Sequence, residues 1–138
     1  MNKRILLVED NPDDAELASR AFRKHRVDVE LENAASGEQA LTLLSNCRGR
    51  PPRLVLLDLQ LPRMSGLELL QHLRSGESTR LLPVVVLTSS DEEQDIRSAY
   101  AFGANSYLRK PVNFADFVSL IGDLHHYWLE LNRVPSHG

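Results

Sequence analysis

The sequence predicts an α/β fold with a doubly wound parallel sheet, and three observations predict it. Ile5–Val8, Leu54–Leu57 and Val84–Leu87 are short continuous apolar runs, the pattern of strands buried on both faces. Amphipathic blocks separate these runs, so that strand and helix alternate five times along the chain, as in parallel sheets covered by helices on both sides. The strands also end on polar residues, at the edge of the sheet where such folds bind ligands.

Taken in order, Ile5–Val8 is the first strand. Asn11-Pro12 opens the first helix, with Asn able to cap and Pro tolerated at the first helical position. Asp13, Asp14 and Glu16 fall in its first turn, where negative charge suits the helix dipole. Val27–Glu32 alternates with period two and is expected to be an edge strand with one wet face. Ser36 begins a second helix carrying Ala40, Leu41 and Leu44, and the stretch 48–53, with Gly49, Pro51 and Pro52, is a loop. Leu54–Leu57 is the third strand, and Leu67, Leu70 and Leu73 mark the third helix. Val84–Leu87 is the fourth strand, Ile96, Ala99, Tyr100 and Gly103 the fourth helix, and Tyr107-Leu108 a short fifth strand. A final long helix is expected from Phe114 to Leu131, leaving residues 133–138 as a tail behind one domain spanning 1–132.

Composition narrows the function. At 138 residues the chain has the length of one domain, with no room for a second, effector domain. It is 42% hydrophobic and 25% charged, which is an ordinary globular balance. A net charge of −3 argues against a nucleic-acid binder led by phosphate contacts. No apolar run approaches the ~20 residues that a bilayer demands, and two acids follow Val8 too soon for a secretory signal. These features predict a cytoplasmic protein with no membrane or nucleic-acid partner. Cys47 stands alone, which excludes an intramolecular disulfide and a cysteine-based zinc site.

The strand ends bring together Glu9-Asp10, Asp58, Thr88 and Lys110. Three carboxylates on one edge repel one another, and a bound cation relieves that repulsion. All-oxygen donors with few protein ligands suit Mg²⁺, which keeps its waters and favours phosphate oxygens. Lys110 is one of three lysines among sixteen basic residues, and a compact ammonium suits a single phosphoryl oxygen. Taken singly, each residue has a plainer reading. Asp10 precedes a helix cap, Asp58 suits a turn, Thr88 is a β-branched strand residue, Lys110 a solvated cation and Tyr107 strand packing. The plain readings require all the strand ends to coincide by chance.

Val8-Glu9-Asp10-Asn11, Leu57-Asp58 through Pro62 to Gly66, Leu87-Thr88-Ser89 and Tyr107-Leu108-Arg109-Lys110-Pro111 together resemble the receiver domain of bacterial response regulators. Asp10 and Asp58 are 48 residues apart, Asp58 and Thr88 30, and Thr88 and Lys110 22, and the resemblance spans roughly residues 3 to 130. The acidic pair reads Glu-Asp where many members have Asp-Asp. The resemblance implies a flavodoxin-like sheet of five parallel strands in the order 2-1-3-4-5 with five helices. It implies that Asp58 accepts a phosphoryl group from a sensor histidine kinase or a phosphotransfer protein, with Mg²⁺ held by Asp10, Asp58 and the Gln60 backbone carbonyl, and Glu9 acting through water. Lys110 and Thr88 would bind the phosphoryl oxygens, Thr88 and Tyr107 would form the switch, and Gln60 and Ser90 would tune dephosphorylation. Lys110–Pro111 is implied to be a cis peptide. The Asn11-Pro12-Asp13-Asp14 start and the Tyr127-Trp128-Leu129 ending are similar to those of single-domain regulators that accompany phytochrome-like kinases.

The last helix carries an apolar arc of about half its circumference, against the ~100° of a single core-facing stripe. One reading buries it under the chain's own tail. The preferred one is a homodimer interface of Phe117, Leu120, Leu124, Tyr127, Trp128 and Leu131. The expected function is therefore a stand-alone response regulator that signals to a downstream protein target and is not an enzyme with a separate substrate. Two rivals remain: a degenerate receiver that binds partners without phosphorylation, and a Mg²⁺-dependent aspartyl phosphohydrolase. The latter class pairs its nucleophile with an acid two residues on, where this chain has Gln60.

Overall fold

A computed structural model describes residues 2–47 and 50–135. Five strands, β1 (Arg4–Val8), β2 (Glu30–Ala34), β3 (Leu54–Leu57), β4 (Val84–Thr88) and β5 (Ser106–Arg109), form one sheet in the order β2-β1-β3-β4-β5, with every pair parallel. Helices α1 (Pro12–Lys24), α2 (Gly37–Ser45), α3 (Gly66–Ser75), α4 (Glu93–Ala101) and α5 (Phe114–His125) cover it.

Strand alternation sorts the core into two layers. Leu6, Val8, Val55, Leu57, Val84 and Val86 point toward α2, α3 and α4, whereas Ile5, Leu7, Leu54, Leu56, Val85 and Leu87 meet Ala18, Ala21 and Phe22 of α1 and Phe117, Ile121 and Leu124 of α5. The three central strands are buried on both faces, which explains why they read as continuous apolar runs.

The helix starts follow their cap residues. Asn11, Ser36, Ser65 and Asn113 each accept backbone N–H groups of the first turn. Gly103, expected within the fourth helix, instead lies past its end at φ +105°, the left-handed conformation that glycine adopts without a Cβ penalty.

Two further expectations shift. β2 begins at Glu30 rather than Val27, because pairing with β1 starts at Arg4↔Glu30, while Val27 and Val29 pack as an approach segment against the α1–α5 layer. The last helix also does not remain α-helical to its end. His126–Leu131 is a π-helical turn, so the inward position after Leu124 is Leu129, five residues on. Phe117 and Leu124, expected at an interface, are therefore core residues at 7% and 3% exposure. Leu120 and Trp128 pack half-buried beside them, and Tyr127 and Leu131 face outward. Tyr127 and Trp128 meet edge to face, with ring centroids 4.9 Å apart.

Candidate functional site

Backbone hydrogen bonds carry the sheet one residue beyond its strands and fix the positions of the polar ends. Glu9 N–H donates to the Ala34 carbonyl (2.9 Å), Asp58 N–H to that of Val8 (3.1 Å) and Lys110 N–H to that of Thr88 (2.7 Å). Glu9, Asp58, Thr88 and Lys110 therefore emerge side by side from rigid backbone.

Asp58 is buried at 8% exposure, yet its carboxylate receives three donors. Oδ1 accepts from the Gln60 N–H (3.0 Å) and the Thr88 hydroxyl (3.1 Å), and Oδ2 accepts from Lys110 Nζ (2.9 Å). Thr88 is fully buried, so its hydroxyl has no solvent alternative to this bond. Gly66 lets α3 pack against the same loop. A Cβ at that position would stand 2.6 Å from Leu59 Cα and overlap the Asp58 carbonyl oxygen.

Glu9 lies inward while Asp10 is exposed. Glu9 Oε1 accepts from Lys110 Nζ at 2.5 Å and Oε2 from the Asn11 N–H at 3.1 Å. Burial raises the Glu9 carboxyl above the ordinary glutamate range, helped by the nearby Asp58 charge and opposed by the bonds from Lys110 and Asn11. Burial also acts against the Lys110 charge, but hydrogen bonds and attraction from Glu9 and Asp58 outweigh it and drive the ammonium's pKa upward. A third carboxylate, Asp14 at 3.5 Å, stands on the α1 side of the same ammonium.

Glu9, Asp14 and Asp58 outnumber the single cation among them, and Asp10 adds a fourth acid beside them in sequence. Among the described residues no three His, Cys, Asp or Glu side chains gather as a ready-made metal cage, since Glu9 is drawn onto Lys110 and Asp10 faces out. The donor set is nonetheless all oxygen and carries excess negative charge, and both features fit a hydrated divalent cation that needs few protein ligands.

The expected cis bond is absent. Lys110–Pro111 is trans, as are all described peptide bonds. The trans form is favoured by about 0.5–1 kcal/mol even before proline. The Thr88 carbonyl on the backbone and three carboxylates on the ammonium aim Lys110 without it.

Tyr107 is half-buried against the core, and its hydroxyl donates to the Ser90 carbonyl at 2.8 Å. Burial raises its phenol pKa; the Ser90 hydrogen bond opposes this, and the charges of Asp95, Asp91 and Asp58 add to the rise. Arg109 pairs with Asp91 at 3.0 Å, so two β5 side chains tie down the segment after β4. Ser90 Oγ donates to Asp95 (2.6 Å), and Gln60 is exposed beside Asp58.

Sequence reasoning missed Asp14 as a partner of Lys110, Asn33 as a bridge and Gly66 as a close approach. Asn33 Nδ2 donates to the Leu7 and Glu9 carbonyls, at 3.0 and 3.3 Å. Gly66 directly follows the Ser65 cap, which was the available signal. Asp14 looked like any first-turn acid.

Among the described residues no helix is long and apolar enough to cross a membrane. A family model described as the response regulator receiver domain matches residues 5–122. The chain is 42% identical over 135 residues to the probable methanogenesis regulatory protein FilR2 of Methanothrix harundinacea, covering 96% of this chain and 87% of that protein. The crystal structure of the phosphorylated cyanobacterial phytochrome response regulator RcpA superposes with a TM-score of 0.91 at 32% identity, covering 99% of this chain and all of that one. The Mn²⁺-bound form of Rcp1, the response regulator of a Synechocystis strain, gives 0.86 at 33% identity, covering 97% and 99%. With the matched fold, the four polar strand ends and these relatives in agreement, the chain belongs to the response regulator receiver domain family.

Proposed function

We propose that this receiver accepts a phosphoryl group on Asp58 from a phosphohistidine of a sensor histidine kinase or phosphotransfer protein and passes on its state by protein contact. The observation that carries the reading is the Asp58 carboxylate, buried yet reached by Lys110, Thr88 and the Gln60 N–H.

An Asp58 oxygen attacks phosphorus, the P–N bond to imidazole breaks, and its electron pair stays on the ring nitrogen. Lys110 offers charge to the transferred oxygens, and Thr88 can turn its hydroxyl from Asp58 to one of them, so that positioning and charge stabilisation do most of the work. Mg²⁺, held by Asp10, Asp58 and the Gln60 carbonyl with Glu9 acting through water, would neutralise part of the phosphoryl charge. The added charge and acceptors on Asp58 bias Thr88, Tyr107 and the β4–α4 segment toward a second arrangement.

The reading places the receiver at residues 1–132 and has it work in the cytoplasm without nucleic acid. The similarity to the phytochrome response regulator RcpA favours a phytochrome-like kinase as the donor. The exposed Tyr127 and Leu131 suit contact with a second copy or with the downstream target.

Incubation with acetyl phosphate and Mg²⁺, followed by intact mass, is expected to add one phosphoryl group that vanishes with EDTA and in Asp58→Asn. No adduct under any condition favours a phosphorylation-independent binding module. Steady turnover of a small phosphate ester favours a phosphohydrolase.

A further inference from the structure

Lys110 has three N–H donors, and three carboxylates surround them: Glu9 at 2.5 Å, Asp58 at 2.9 Å and Asp14 at 3.5 Å. Glu9 and Asp58 belong to the strand ends, with side-chain exposures of 4% and 10%. Asp14 differs. It is the third residue of α1, its N–H is held by Asn11 Oδ1 at 3.3 Å, and its side chain is 41% exposed at the rim. Lys110, only 15% exposed, runs to these acids beside a cleft of about 60 Å³ that it lines with Asp14, Leu17, Pro111 and Phe117. An acid at the third helical position gains from the dipole wherever its side chain points, so helix stability alone does not account for its facing the ammonium.

We propose that Asp14 is a positioning residue that draws Lys110 toward α1 and restrains phosphorylation of Asp58. Its charge shares the ammonium that must turn to the phosphoryl oxygens, and it stands as a like charge where an anionic donor approaches. This rests on the phosphoacceptor reading of Asp58. With acetyl phosphate the balanced step is attack by an Asp58 carboxylate oxygen on phosphorus and cleavage of the P–O bond to acetate. Acetate keeps the electron pair, and no proton transfer is required.

The test compares the wild type with Asp14→Asn, using Asp13→Asn as a control that removes the same charge one residue away. Asp14→Asn is expected to accelerate adduct formation from acetyl phosphate, a dianion near neutral pH, by roughly three- to tenfold. The gain should be smaller with phosphoramidate, which carries less net charge, and should shrink in 1 M salt, where screening lengths fall to about 3 Å. Asp13→Asn should change the rate by less than Asp14→Asn. A general loosening of the fold would not distinguish the two donors. Labelling with the N-hydroxysulfosuccinimide ester of acetic acid, mapped by peptide mass, gives an independent readout. Lys110 should label several-fold faster in Asp14→Asn, with Lys24 as internal reference. Equal rates in wild type and Asp14→Asn, a slowing with both donors, or unchanged Lys110 labelling each overturn the role of Asp14. Absence of any adduct in the wild type overturns the phosphoacceptor reading, and this proposal with it.

Discussion

Lys110 Nζ bridges the two buried carboxylates Glu9 and Asp58, at 2.5 and 2.9 Å. Removing the bridge leaves two like charges facing each other with little access to water. Lys110→Met is expected to lose about 3–5 kcal/mol in urea unfolding near neutral pH, the range for orphaning a buried charge. The pH dependence follows from Glu9. Its folded pKa is raised, so its contribution is fully present below the ordinary value of 4.5 and is lost as pH rises through the folded value. Without Lys110 that folded value rises further, and the variant should be nearer to wild-type stability at pH 5 than at pH 8.

Thr88→Val keeps the shape of a fully buried side chain and removes the hydroxyl that reaches Asp58. The expected stability change is about 1 kcal/mol. The expected chemical change is larger, a slowing of adduct formation by roughly tenfold or more. Thr88→Ser, which retains the hydroxyl, should recover most of the rate by intact mass.

Tyr107→Phe removes the donor to the Ser90 carbonyl and leaves the ring in the core. Amide exchange over residues 89–92 should quicken, while Asp58 should still take up phosphate. In the wild type, ultraviolet titration should place the Tyr107 phenol above its ordinary value of 10.0, because burial and nearby acids oppose its ionisation.

Gly66→Ala places a methyl group against Leu59 Cα and the Asp58 carbonyl. Backbone must move to admit it, at a cost of about 1–3 kcal/mol. Because the displaced backbone carries Asp58, adduct formation should slow together with the fall in urea midpoint.

His125 gives the protein a sensitivity on the acid side. Burial lowers its folded pKa; Glu130 opposes the shift, and His25, His126 and Lys3 add to it. A depressed value means that its contribution is present above the ordinary 6.5 and is lost as pH falls through the folded value. Urea midpoints should drop from pH 8 to pH 5.5, and less so in His125→Phe.

The fold was legible because each central strand is an uninterrupted apolar run with a polar residue at its end, and because Asn11 and Ser36 announce their helices. The site's main members were legible for the same reason, since parallel strands align their carboxyl ends. Features set by tertiary contacts were not. The period-two pattern at Val27–Glu32 matches an edge strand equally well with its ladder starting three residues later, and pairing with β1 decides. The geometry before Pro111 depends on what restrains Lys110, which is tertiary. Asp14 declares its partner only once α1 is packed beside α5 and its first turn stands next to Lys110.

The π-helical turn at His126–Leu131 has a consequence for how this surface can vary. It acts as a one-residue insertion in the final turn, moving the core contact to Leu129 and turning Tyr127 and Leu131 outward. Shortening the turn by a single residue would return it to four-residue spacing and rotate the exposed pair by about 100°, the angle per residue of an α-helix. Receivers with the same set of polar strand ends could in this way present differently aimed ends to their partners, with recognition changed by chain length rather than by side-chain replacement.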